Sequence, residues 1–148
     1  MPIYPDQAPL RLEDFEPLTE AEFAKLELYC FANCANNMTY VKPPENGKPP
    51  IPWLESFGNE NDIVARLGML APRPNKWGIK IDGPCYKKHD SWGHLLNQHY
   101  LFEIAKAQKD GYKKGGQNGM DPYVLVDASG FANCENPRLF RYINGGTT

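Results

Sequence analysis

The residues able to do chemistry gather between Asp82 and Asp110, in DGPCYKKHDSWGHLLNQHYLFEIAKAQKD, which holds His89, His94, His99 and Cys85. His89 followed by Asp90 is the pair that most resembles an acid–base couple, an imidazole beside a carboxylate able to orient it or to hold a hard cation. A histidine beside a helix-capping aspartate gives the same two letters, so the elements that carry the pair decide between the readings.

Asp82 has the side chain of an N-cap, Pro84 fits a first helical turn, and Gly111 fits a C-terminal stop. These signals predict a helix from Asp82 to Asp110, roughly 26 residues and about 39 Å long, with Gly93 its weak point; a start at Asp90 is equally compatible. On one helix, Cys85, His89, Trp92, Leu96, His99 and Glu103 share a face, widened by Leu95 and Phe102, and His94 falls opposite. His89 and His99 are then about 15 Å apart along the axis, so no metal site is expected from this helix alone.

Cys85-Tyr-Lys-Lys-His89-Asp90, with Trp77-Gly78-Ile79-Lys80-Ile81 upstream, resembles the helix and preceding segment of secreted phospholipases A2. That resemblance implies a calcium-dependent hydrolase in which His89 activates water and Asp90 holds calcium. The chain departs from the pattern at Ser91-Trp92-Gly93 and at Ala71–Lys76, which lacks the glycines of a calcium loop.

Cysteines supply the second set of candidates, at positions 30, 34, 85 and 134. Thr19-Glu-Ala-Glu22 is a capping box. The helix it opens is expected to carry Phe23, Leu26, Cys30, Phe31 and Cys34 on one stripe and to end near Asn36-Asn37. Cys30 and Cys34 would then project in parallel, suited to bridges toward Cys85 and Cys134 rather than to each other. Two disulfides, four reduced thiols or a single zinc are all compatible with these positions. The Cys-x-x-x-Cys spacing is similar to half of the twin motif of small disulfide-bonded proteins of the mitochondrial intermembrane space, which implies that compartment. Phe31-Ala-Asn-Cys34-Ala-Asn-Asn-Met38 resembles the nucleophile segment of papain-like amidases. In that reading Cys34 is the nucleophile, although the expected helix would place it at a C-terminus, where the dipole disfavours a thiolate.

The remaining chain is rich in punctuation, with 14 prolines and 13 glycines in 148 residues. Residues 1–18 read as an extended N-terminal arm, and residues 19–148 as a single helical domain with a proline-rich linker at 43–52, PPENGKPPIP, turning at Asn46-Gly47. Trp53, Leu54 and Phe57 anchor that linker. Asn61 or Asn59 is expected to cap a short helix through Ile63, Val64, Leu67 and Leu70, stopped by Pro72. Tyr123–Val126 and Leu139–Ile143 read as two short strands. The fold expected is therefore mainly α, with extensive proline-rich coil and a small two-stranded β element near the C-terminus.

A net charge of −2 with scattered lysines and arginines disfavours nucleic-acid binding. No apolar run approaches the roughly 20 residues of a transmembrane helix, and the first residues lack the pattern of a signal peptide. The glycines at 115–130 form no phosphate-cradling loop, so no cofactor is expected. Together these features point to a non-catalytic accessory subunit of a larger assembly, of which an organellar or respiratory-chain complex is one concrete version. Other protein subunits would be held through residues 1–18 and a strap at 43–57. The calcium-dependent hydrolase using His89 and Asp90 and the cysteine amidase using Cys34 are the alternatives.

Overall fold

The computed structural model describes residues 17–71, 78–109, 123–127, 137–143 and 146–147. In it strands carry the core. Four of them form a mixed sheet in the order β1-β3-β5-β6: β1 (Glu27–Phe31), β3 (Trp53–Asn59), β5 (Cys85–Lys88) and β6 (Val124–Asp127). β1, β3 and β5 run parallel and β6 closes one edge antiparallel, with a register shift at Cys85/Tyr86. Two small pairs accompany this sheet: parallel β2 (Asn37–Met38) with β4 (Lys80–Ile81), and antiparallel β7 (Tyr142–Ile143) with β8 (Gly146–Thr147).

The mainly helical expectation is thereby overturned. The capping box at Thr19 does form: Glu22 N donates to Thr19 Oγ1, and the Glu22 carboxylate accepts from Thr19 N at 2.8 Å. The helix it opens, α1 (Glu20–Phe23), buries none of its residues. Leu26 onward pairs with β3 instead, because backbone ladders and packing outweigh local helix propensity in a segment rich in Leu, Tyr and Phe. Cys30 therefore lies on a strand and Cys34 in the loop beyond it, not one helical turn apart.

The expected helix from Asp82 fails at its first half. Asp82 caps nothing helical; its carboxylate accepts from Tyr40 N at 2.8 Å, in the turn joining β4 to β5. Gly83 takes φ +88°, and a Cβ there would lie 2.3 Å from Leu54 O, so this turn accepts no other residue comfortably. Asp90 (φ +50°) and Gly93 (φ +97°) then adopt left-handed backbone, which ends any continuous helix. Helix appears only later, as a π-helical turn at Leu96–Leu101 running into α3 (Phe102–Lys109).

The linker at 43–52 turns where expected. Asn46 and Gly47 both have positive φ, Lys48 N donates to Glu45 O, and Lys42 bridges Ile51 across the excursion. The strap expected at 43–57 stops short of its last residues, because Trp53–Phe57 belongs to β3, a strand covered on both faces, as parallel strands usually are. β6 matches the strand expected at Tyr123–Val126 to within a residue but pairs with β5. The second expected strand is largely a 3₁₀ turn at Arg138–Arg141 followed by β7. The arm falls largely outside the described residues, as does Cys134.

An aromatic row binds the sheet. Phe31 is in register with Phe57, and Phe57 with Tyr86. Their rings stack along neighbouring strands with centroids 5.4 and 5.3 Å apart. Tyr123 meets Phe57 edge-on, and Tyr100 and Ile104 cover the same cluster from the helical segment. Each aromatic pair adds about 0.5–1.5 kcal/mol beyond the area it buries. On the same face of β3, two residues before Phe57, Glu55 is buried, and its two carboxylate oxygens accept from the Arg138 and Leu139 amides at 2.6 and 3.1 Å, tying the C-terminal segment to the sheet.

Candidate functional site

The parallel direction of β1, β3 and β5 sends the carboxyl ends of all three strands to one end of the sheet, the place where open α/β sheets carry their ligands. The two inner strands deliver the candidate chemistry there. β3 ends at Asn59 and is followed by Glu60-Asn61-Asp62; β5 ends at Lys88 and is followed by His89-Asp90-Ser91. Glu60 N donates to Lys88 O and Asn61 N to Ser91 O, so the two loops stay in register beyond the sheet.

Asp62 begins α2 (Ile63–Leu67). Its Oδ1 accepts from the Val64 and Ala65 amides, so Asp62 is the cap that was expected at Asn59 or Asn61. Its other oxygen, Oδ2, accepts from the Tyr100 hydroxyl at 2.6 Å and lies 3.0 Å from His94 Nδ1. Burial alone would raise the pKa of this carboxyl; the donations from Tyr100, His94 and the Val64 amide outweigh it, and the net displacement is downward. The Asp62 side chain is 1% exposed and that of His94 57%. An ionised carboxylate can only accept from Nδ1, an arrangement that in a neutral imidazole leaves the lone pair on Nε2, the orientation that a general base needs.

Asn59 holds the loop that carries His94. Its Nδ2 donates to Gly93 O at 3.1 Å and to His99 O at 3.2 Å, while its backbone N donates to the Tyr100 hydroxyl. With both amide hydrogens used on carbonyls, Oδ1 faces the interior with no partner among the described residues. His99 is part of the same frame. Its Nδ1 accepts from Leu95 N, and its ring lies against Gly93, where an added Cβ would come within 2.2 Å.

Of the pair singled out from the sequence, His89 Nδ1 lies 3.3 Å from Glu60 Oε2, and Asp90 contributes its backbone amide to the same oxygen at 3.0 Å. Glu60 Oε1 accepts from Lys87 Nζ at 2.7 Å. The hydrogen bond from Lys87, then the Asp90 amide, carry the Glu60 carboxyl down to about 2. His89 and Asp90 thus sit in a turn after a strand, so the helical setting on which the phospholipase resemblance rests is absent. The three histidines engage Glu60, Asp62 and the Leu95 amide separately. Among the described residues no group of three or more His, Cys, Asp or Glu side chains could hold a metal ion.

Cys30 and Cys34 are free thiols, so no bridge joins either of them to Cys85. Cys30 is half-buried with Sγ 3.8 Å from Met38 Sδ, and burial raises its pKa. Cys85 is buried on β5, and Cys34 is exposed at neither end of a helix. Among the described residues no helix is long and apolar enough to cross a membrane.

The residues that organise this end of the sheet are Glu60, Asp62, His94 and Tyr100; the sequence had pointed only to His94 among them, and had set it on the far side of the expected helix. The one local signal was Asp62 directly before an apolar helical run, a stronger capping position than the asparagines beside it. Comparison with protein-family models, with curated proteins and with solved structures finds no match to this chain.

Proposed function

We infer that this chain is a non-catalytic interaction subunit, held in a larger assembly by an apolar face on the segment between Trp92 and Phe102. The observation that carries this reading is the outward apolar surface of that segment: Trp92 is 74% exposed, Phe102 65%, Leu95 56% and Leu96 47%. Tyr100 and Ile104 supply the inward side. Large apolar side chains scattered singly over a surface need no explanation, but several in one short segment mark a contact for another protein. The frame of Asn59, Gly93 and His99 fixes the backbone under this face before any partner arrives, which lowers the ordering cost of docking. The partner expected is a protein presenting a complementary apolar groove.

The test compares the native chain with the double variant Trp92→Ser, Phe102→Ser, each purified from its own cells under non-denaturing conditions. The native chain is expected to co-elute with a stoichiometric protein partner. The variant should elute alone with an unchanged far-ultraviolet circular dichroism spectrum. A native chain that elutes as a lone 16.8 kDa monomer, or a folded variant that keeps its partner, overturns the reading. Elution of the native chain with a second copy of itself would transfer the same face to a homodimer.

A further inference from the structure

We propose that the cleft between α2 and β6 at the carboxyl end of the sheet binds a small monocarboxylate with an apolar tail. The cleft has a volume of about 480 Å³, within the range of roughly 300–1,000 Å³ that small-molecule sites occupy. The charged residues of its wall are Glu60, Arg66 and Lys87, beside Asn61, and its apolar wall includes Met69, Leu70 and Val126.

The charges select the head group. Lys87 Nζ is 2.7 Å from Glu60 Oε1, so that cation is already matched by an anion, with its other two hydrogens free to donate. Arg66 stands on the last turn of α2, and among the described residues no carboxylate pairs with it. The wall therefore offers one uncompensated positive charge in the form of a planar guanidinium, which matches a carboxylate through two parallel hydrogen bonds. A dianionic phosphate would place its second charge against Glu60, whereas a monocarboxylate leaves the site neutral.

The apolar side selects the tail. Val126 is exposed on a strand at the sheet edge, and Met69 and Leu70 follow α2. Met69 is itself buried, so an alkyl chain would shield chiefly Val126 and Leu70 from water, about 0.8 kcal/mol per CH₂ fully buried. Met69 N donates to Asn33 O, and a Cβ on Gly68 would come within 2.1 Å of the same oxygen, so this wall is braced against the loop after β1. The site is independent of the docking face, because neither Trp92 nor Phe102 lines it.

The experiment is a titration of the full chain with octanoate, followed by calorimetry and by amide chemical shifts. Acetate tests the head group alone and octylamine the reversed charge. Octanoate is expected to saturate one site in the millimolar range or below, shifting the amides of Arg66, Leu70 and Val126, with acetate at least about tenfold weaker. Arg66→Gln, on an exposed side chain, should weaken octanoate about tenfold or more, as the loss of a charge-assisted bond implies. Val126→Asp, which sets a like charge against the ligand, should do the same. The proposal fails if octanoate does not saturate, if octylamine binds equally well, if either variant binds as the native chain does, or if the shifts centre on Trp92 and Phe102.

Discussion

The Tyr100 hydroxyl donates to Asp62 Oδ2 at 2.6 Å and accepts from Asn59 N at 3.1 Å, joining the helical segment to the end of β3 through one buried oxygen. Tyr100→Phe removes that oxygen and little else. It leaves a buried amide without an acceptor and a buried carboxylate with one donor fewer, a loss of about 1–3 kcal/mol. Denaturant unfolding should show the midpoint lowered with the slope unchanged. An unchanged midpoint would mean that water replaces the hydroxyl at no cost.

The same carboxylate gives the fold a definite pH dependence. The folded pKa of Asp62 lies below its unfolded value, which is about 3.9. Its contribution is therefore fully present above that value and is lost as the pH falls through the folded one. Glu60, held down to about 2 chiefly by Lys87, acts in the same direction over the window from its unfolded value of about 4.3 downward. Glu55 acts in the opposite sense, because burial raises it. Asp62→Asn isolates one group, since asparagine caps a helix about as well as aspartate. The melting temperature of the native chain, minus that of Asp62→Asn, should shrink between pH 5 and pH 3; a constant difference would place the Asp62 contribution outside ionisation.

Two glycines separate backbone strain from collision. Gly47 and Gly83 both have positive φ, but a Cβ on Gly47 meets nothing within 4 Å, whereas on Gly83 it lies 2.3 Å from Leu54 O. Gly47→Ala should cost about 1 kcal/mol, the left-handed penalty alone. Gly83→Ala adds a clash with backbone at the turn into β5, so its cost should exceed about 2 kcal/mol. Paired thermal melts check the order. Equal costs would show that the β4–β5 turn relaxes freely.

Local grammar was legible in the sequence wherever neighbours decide the conformation. The Thr19–Glu22 box, the Asn46-Gly47 turn, the late part of the long helix at Phe102–Lys109 and a strand within a residue of Tyr123–Val126 all lie in short windows. What escaped was decided at a distance. Glu27–Phe31 and Cys85–Lys88 are strands because β3 lies between them, and no periodicity within either segment reports that partner. The period read from Cys85 through His99 fits a helix as arithmetic, but Asp90 and Gly93 take left-handed backbone inside it. The site followed suit. His94, placed on the far side of an imagined helix, meets Asp62, which precedes it by thirty-two positions, while His89 and Asp90, adjacent in sequence, are both drawn to Glu60.

The parallel arrangement of β1, β3 and β5 also governs how quickly the chain can find its fold. Phe31 meets Phe57, and Phe57 meets Tyr86, only after the intervening excursions have closed, and β6 reaches β5 from beyond α3. No tight hairpin seeds the four-stranded sheet, so the entropy of each closure is spent before the aromatic row returns any stabilisation. Such non-local pairing sets a slow folding rate, in the range of milliseconds to seconds typical of high contact order. During that interval the backbone of Trp53–Phe57, later enclosed on both sides, is open to pairing with other chains. Aggregation on refolding should therefore rise with protein concentration even where the folded state is stable.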